Sequence, residues 1–131
     1  MRTAARETVF KYLFSKLFNQ DDKELFVVLC KNEMLKEEDF KFASALLNAV
    51  ESSYDRYYDI MSELSVGFKA ERIFNADKCA IIIGMAELEN FDTPYIVAID
   101  QAVGLSSKYS TEKSANFVNG ILASYYNRIK G

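Results

Sequence analysis

The 131-residue chain is half hydrophobic and carries a formal net charge of −3, a composition that excludes an intrinsically disordered protein. Five glycines and one proline are too few turn-forming residues for a sheet of many strands. No apolar run approaches the roughly 20 residues that a membrane-spanning helix needs, and the charged N-terminal segment lacks the apolar stretch of a signal peptide. We therefore expect a single domain over residues 1–131, located in the cytoplasm.

Hydrophobic residues spaced three and four apart predict two helices in the first quarter of the chain. The first runs from about Thr3 to Phe18, and Asp21 or Asp22 can cap the second. The expected buried stripe of the first helix is Val9, Phe10, Leu13, Phe14 and Leu17, and that of the second is Leu25, Phe26, Leu29 and Cys30. Stripes of this kind predict that both helices pack on a common core.

A third and longer periodic segment begins near Glu38. It is long enough to break near Ser52-Ser53, and Gly67 is its expected C-terminal stop. The following stretch, NADKCAIIIGMAELE, is apolar on nearly all sides from 79 to 88, which is typical of a central, buried helix.

Thr93-Pro94 predicts the start of the next helix, with Thr93 as N-cap and Pro94 at the first helical position. A last helix starts at Thr111 or Ser114. Together these elements predict an all-α fold of six to seven helices.

The last helix contains Asn119-Gly120 in its middle, although Gly there costs about 1 kcal/mol relative to Ala. Its apolar side holds Phe117, Val118, Ile121, Leu122, Tyr125 and Ile129, and the opposite side holds Asn116, Gly120, Ala123 and Asn127. A face without long side chains lets another backbone or molecule approach closely. That neighbour is either another helix of the same bundle or an external partner.

Residue types that carry most enzyme chemistry are missing or isolated. Histidine, the commonest metal ligand and general base, does not occur. Asp55, Asp59 and Glu63 recur at four-residue spacing, but bundle metal sites normally add Glu-x-x-His pairs, so we interpret these carboxylates as a solvated face. Cys30 and Cys79 are interpreted as reduced, buried thiols. The sequence predicts no catalytic site, no metal and no cofactor.

Basic residues concentrate at the two ends of the chain. They are Arg2, Arg6, Lys11 and Lys16 near the start, and Lys108, Lys113, Arg128 and Lys130 near the end. If the first and last helices lie side by side, these residues form one positive patch suited to nucleic acid. Arg6 continues the core stripe, which leaves two interpretations: it pairs with a carboxylate at the core edge, or it contacts phosphate.

Four blocks, taken in order, resemble the signature blocks of the NusB family. They are AARE, NADKCAIIIGMAEL, DTPYIVAIDQAVGLSSKYST and FVNGIL, and the resemblance extends from Arg2 to Ile129. It implies a single NusB-like domain in which two small helical bundles pack together, and a function without catalysis. That function is transcription antitermination through binding of single-stranded boxA-type leader RNA jointly with ribosomal protein NusE, and indirectly with the RNA polymerase antitermination complex.

This resemblance, together with the charge pattern, suggests a set of site residues. The expected phosphate contacts are Arg2, Arg6, Lys11 and Lys108; the expected base-side contacts are Phe117 and Asn119; the expected partner contacts are Glu87 and Lys113. Phe117 is either exposed, where it can stack on an unpaired base, or part of the core.

The chain also departs from the family pattern. Thr3 and Ala4 stand where further basic residues are common, and Lys113 stands where an acidic residue is common. Each lost phosphate contact removes electrostatic affinity for RNA. Two alternatives therefore stay open: a NusB-fold protein-interaction module with weak or lost RNA binding, and the RNA-positioning module of a ribosomal RNA cytosine methyltransferase.

Overall fold

The computed structural model describes residues 2–17, 23–65, 67 and 69–131, and within these ranges it contains helices and no strand. The helices are α1 (Arg2–Lys16), α2 (Lys23–Asn32), α3 (Glu37–Ser52), α4 (Tyr54–Leu64), α5 (Asn75–Asn90), α6 (Tyr95–Tyr109) and α7 (Glu112–Lys130), with one short 3₁₀ turn at Ala70–Arg72. This confirms the predicted all-α class. In the part of the chain that the structure describes, no helix combines the length and the apolar character needed to cross a membrane.

α5 lies at the centre of the molecule, as its all-round apolar sequence predicts. Every residue from Cys79 to Glu87 is buried, and α5 packs against α1, α3, α4, α6 and α7. α1 also packs on α2 and α3, whereas α7 packs on α4 and α6. The result is two small helix groups joined through α5, which confirms the predicted pair of packed bundles.

One boundary prediction in the middle of the chain is confirmed and a second is close. The break at Ser52-Ser53 separates α3 from α4. α4 ends at Leu64 with Ser65 as its C-cap, two residues before the predicted stop at Gly67, whose positive φ of 84° favours glycine. The predicted end of the first helix at Phe18 and the caps at Asp21 or Asp22 lie outside the described residues.

The sequence predicts the start of α7 correctly, but it places the start of α6 one residue too early. Thr111 caps α7, because its hydroxyl oxygen accepts a hydrogen bond from the backbone N–H of Ser114 at 3.2 Å. The predicted N-cap of α6 is wrong by one residue. Pro94 occupies the N-cap position, and the buried Oγ1 of Thr93 has no hydrogen-bond partner in the structure.

The buried stripe of α1 is shorter than its pattern predicts. Val9, Phe10 and Leu13 are buried, but Phe14 is 36% exposed and Leu17 is 41% exposed. The apolar periodicity continues past the point where neighbouring helices cover α1, so the pattern alone cannot show where burial ends.

α5 meets α6 and α7 at Gly84, where the absence of a side chain allows close packing. A Cβ atom at Gly84 would lie 2.6 Å from Cδ1 of Leu122 and 3.2 Å from Cβ of Ala102. Gly120 differs, because a Cβ atom there would meet no atom within 4 Å. Among the described residues, therefore, no helix of the bundle uses the small face around Gly120, and the first interpretation of that face is wrong.

Glu89 on α5 joins α4 to α7. Its carboxylate accepts two hydrogen bonds from the Arg56 guanidinium, one of them 2.9 Å long, and others from the hydroxyls of Tyr57 at 2.9 Å and Tyr125 at 2.6 Å. The hydrogen bonds from Arg56, aided by those from Tyr125 and Tyr57, outweigh partial burial and lower the pKa of Glu89 to about 2. One carboxylate thus links three helices.

We expect Gly84→Ala to destabilise the protein by about 1–3 kcal/mol, because the added methyl group overpacks the crossing of α5 with α7. The matched control is Gly120→Ala, which replaces an exposed helix glycine and is expected to raise stability by up to about 1 kcal/mol. Urea unfolding of both variants measures the difference. Equal effects of the two substitutions would contradict the close approach at Gly84.

We expect Glu89→Gln to lower the free energy of unfolding at neutral pH by about 1–3 kcal/mol, since hydrogen bonds to a charged group are lost. The carboxyl pKa is 4.5 ordinarily and about 2 in the folded protein. The wild-type advantage is therefore complete above pH 4.5 and disappears as the pH falls towards 2. Urea midpoints of both proteins across this range test the prediction; a pH-independent difference would contradict it.

Candidate nucleic-acid interface

A groove runs between α1 and α6. It consists of two adjoining depressions that share Thr3 and Gln101 and of a third depression beyond them along α1. The first is lined by Arg2, Thr3, Arg6, Asp92, Thr93, Pro94, Val97 and Gln101; the second by Thr3, Glu7, Asp100, Gln101, Gly104, Leu105 and Lys108; the third by Phe10, Lys11, Phe14, Ser15 and Tyr109. All four predicted phosphate contacts line this surface, which we call the α1/α6 groove.

The prediction of one positive patch built from both chain ends is only partly correct. α1 packs on α2, α3, α5 and α6, and α7 packs on α4, α5 and α6, so the first and last helices do not lie side by side. Lys108 reaches the groove because it belongs to α6. Arg128, on α7, instead pairs with Glu63 of α4 at 2.9 Å.

Arg6 and Glu87 bind each other inside the protein. Nε and Nη2 of Arg6 donate to the two carboxylate oxygens of Glu87 at 2.7 and 2.6 Å, and the residues are 4% and 1% exposed. The carboxylate interpretation of Arg6 therefore describes this structure. Its predicted phosphate contact and the predicted partner contact of Glu87 are corrected, because neither side chain is accessible.

Arg2 lies one helical turn before Arg6 and is exposed. Its guanidinium carbon is 4.4 Å from the centre of the Phe42 ring, and that of Arg6 is 5.3 Å from the same ring. A cation over an aromatic face is held in place without losing its charge. Arg2 thus presents a positioned positive charge at one end of the groove.

The two lysines of the groove contact carboxylates. Nζ of Lys11 donates to Glu33, and Nζ of Lys108 donates to Oε2 of Glu7 at 2.6 Å. The Tyr109 hydroxyl donates to the same Glu7 oxygen at 2.7 Å. The hydrogen bond that Lys11 donates to Glu33 raises the pKa of Lys11, and the one that Lys108 donates to Glu7 raises the pKa of Lys108. The positive charges are therefore matched by nearby negative ones.

Phe117 and Lys113 lie on a different surface from the basic residues. They line an apolar depression of about 720 Å³ between the 3₁₀ turn and the start of α7, together with Arg72, Ile73, Phe74, Asp77, Thr111, Glu112 and Ser114. Phe117 is half-buried, and Lys113 is exposed. Asn119 is exposed next to Gly120. The predicted residues thus divide between the α1/α6 groove, the α7 surface and the core.

Sequence reasoning missed three residues of these surfaces. Glu7 and Tyr109 complete the contacts of Lys108, and the four-residue spacing of Glu7 and Lys11 was a signal that both lie on one face of α1. Phe74 is 61% exposed at the edge of the apolar depression. Its position immediately before α5, outside any buried stripe, was the available signal.

Comparisons with known proteins match nearly the whole chain to a single protein family. Residues 3–127 match the NusB family. Transcription antitermination protein NusB of Finegoldia magna is 32% identical over 130 residues, covering 97% of this chain and 94% of that protein. The NusB protein of Ruminiclostridium cellulolyticum is 31% identical over 124 residues, covering 93% and 86%. A crystal structure of antitermination factors NusB and NusE in complex with double-stranded RNA contains a chain that matches with a TM-score of 0.87 at 24% identity, covering 97% of this chain and 96% of that one.

We expect Arg6→Ala to destabilise the protein by about 3–5 kcal/mol, because it leaves the Glu87 carboxylate buried without its partner. Replacing both residues by Met removes the two charges together and is expected to restore most of the stability. Urea unfolding compares the single and double variants. If Arg6→Ala kept wild-type stability and lost only RNA affinity, Arg6 would be a phosphate contact after all.

Proposed function

Because this chain belongs to the NusB family, we propose that it is a transcription antitermination protein that binds boxA-type leader RNA together with ribosomal protein NusE. The observation that carries this proposal is the family match over residues 3–127. The near-complete coverage of the Finegoldia magna protein supports it as well. The protein acts in the cytoplasm without catalysis, and reaches RNA polymerase through the assembled complex.

The α1/α6 groove is the proposed path of the RNA backbone. Arg2, Lys11 and Lys108 lie along it, and each carries its charge on an exposed or half-buried side chain. Lysine and arginine contacts of this kind supply affinity that depends on salt but not on sequence. Arg6 contributes by fixing α1 on α5 through Glu87, so its role in RNA binding is to hold the groove in shape.

The α7 surface is the proposed place of base and partner contacts. Phe117 is half-buried, which leaves part of its ring available for stacking on an unpaired base. Asn119 offers an amide beside Gly120, where no side chain blocks approach. Lys113, at the rim of the apolar depression, faces NusE in this proposal.

A second candidate function is a protein-interaction module with weak direct RNA binding. The observation that favours it is the pairing of basic residues with carboxylates, which holds for Arg6, Lys11 and Lys108. RNA has to displace Glu33 and Glu7 to reach the two lysines. In this case, most RNA affinity arises only in the complex with NusE.

Titration of a labelled boxA-type RNA and a scrambled control, with and without NusE and at several salt concentrations, tests both candidates. We expect boxA-specific binding that NusE strengthens. We also expect Arg2→Gln to weaken binding to both RNAs and to reduce the salt slope by about 0.7, the value for one phosphate contact on a single strand.

The matched control is Arg128→Gln, which removes the same charge from α7, where the guanidinium pairs with Glu63. It should leave RNA binding unchanged. Binding of NusE without any RNA affinity would favour the protein-interaction module, and failure to bind either partner would contradict both candidates.

A further inference from the structure

Two hydrogen-bond donors in the α1/α6 groove meet on one carboxylate oxygen. Oε2 of Glu7 accepts from Nζ of Lys108 at 2.6 Å and from the hydroxyl of Tyr109 at 2.7 Å. The Lys108 side chain is 61% exposed and that of Glu7 is 17% exposed. The donors therefore reach solvent from one side, while the acceptor is supplied by the protein.

An ammonium group and a hydroxyl aimed at one anionic oxygen form a pattern that also suits a phosphate oxygen. Charge-assisted hydrogen bonds to carboxylate and to phosphate use the same donors at similar distances. Glu7 occupies the place that an anionic oxygen of another molecule would take. It is ionised there, because hydrogen bonds from Lys108 and Tyr109, and the charges of Lys108 and Lys11, lower its pKa against the raising effect of partial burial.

The groove has room for a second anion beside this carboxylate. The depression lined by Glu7 and Lys108 has a volume of about 290 Å³ and includes Gly104 in its lining. A Cβ atom at Gly104 would meet no atom within 4 Å, so bare helix backbone borders the depression. A nucleic-acid backbone can therefore approach Lys108 without a steric barrier from α6.

We propose that Glu7 competes with an RNA backbone phosphate for Lys108 and Tyr109, so that this carboxylate holds the RNA affinity of the groove below what its basic residues could provide. This inference rests on the proposed function, because it needs RNA in the α1/α6 groove. When RNA binds, a phosphate oxygen replaces the Glu7 carboxylate as the hydrogen-bond acceptor. The phosphate takes both donors, and Glu7 turns to solvent in the depression beside Gly104.

Removing the Glu7 carboxylate should strengthen RNA binding through Lys108. We expect Glu7→Gln to bind boxA-type and scrambled RNA about two- to fivefold more tightly, the scale of an exposed ion pair. The gain should be equal for both RNAs, because a phosphate contact carries no sequence information. In a Lys108→Gln background the gain should shrink to the general effect of removing one negative charge, which Asp100→Asn measures.

Asp100→Asn is the matched control. It removes one negative charge from the same depression, but no hydrogen bond joins Asp100 to Lys108 in the structure. Any gain in RNA affinity from Asp100→Asn comes from the lower negative charge of the groove and not from a freed Lys108. It should therefore persist when Lys108 is replaced. Thermal melting and NusE capture of each variant show that the fold and the partner surface are intact.

Fluorescence anisotropy titrations of wild type, Glu7→Gln, Lys108→Gln, the double variant and Asp100→Asn complete the test. A Lys108-dependent gain for Glu7→Gln supports the inference. If wild type binds RNA and Glu7→Gln binds equally or less tightly, Glu7 positions Lys108 instead, and the inference alone is overturned. If none of the folded variants binds RNA with or without NusE, the RNA-binding part of the proposed function fails and the inference fails with it.

Discussion

α5 is buried along most of its length, yet it carries carboxylates that need partners, and this constraint fixes the arrangement of its neighbours. Asp77 and Glu87 are 2% and 1% exposed, and burying a charge without a partner costs much stability. Asp77 accepts a hydrogen bond from Ser106 on α6, and Glu87 accepts two from Arg6 on α1. Each carboxylate therefore fixes the position of a neighbouring helix.

This constraint also shapes the groove, because its two walls are α1 and α6. The walls contact each other through the ion pair of Lys108 with Glu7 and through the stacked rings of Phe10 and Tyr109, whose centroids are 4.8 Å apart. α5 packs against both walls and so helps to set their spacing. The buried pair of Arg6 and Glu87 thus helps to set the position of Arg2 and Lys108, the proposed phosphate contacts.

The sequence predicted the fold well, because helix periodicity, caps and the all-round apolar α5 are local patterns. It predicted the groove less well, because pairing between distant residues leaves no local signal. Arg6 and Glu87 are 81 positions apart, and each alone resembles an accessible charged residue. The motif around Asn119-Gly120 pointed to a close approach, but only the structure shows that the described residues leave the position of Gly120 open. The roles assigned to Phe117, Asn119 and Lys113 remain predictions.

Gly104 and Gly120 lie in helix interiors with open space where a side chain would stand. Each sacrifices about 1 kcal/mol of helix stability relative to Ala, and within the described chain neither glycine is needed for packing. Natural proteins are rarely at their stability optimum, and in this protein the two glycines lie on the surfaces proposed to bind RNA and the partner. Laboratory evolution under selection for heat resistance alone would therefore replace these glycines early. The isolated chain would become more stable, and the two proposed binding surfaces would lose the space that the glycines leave open.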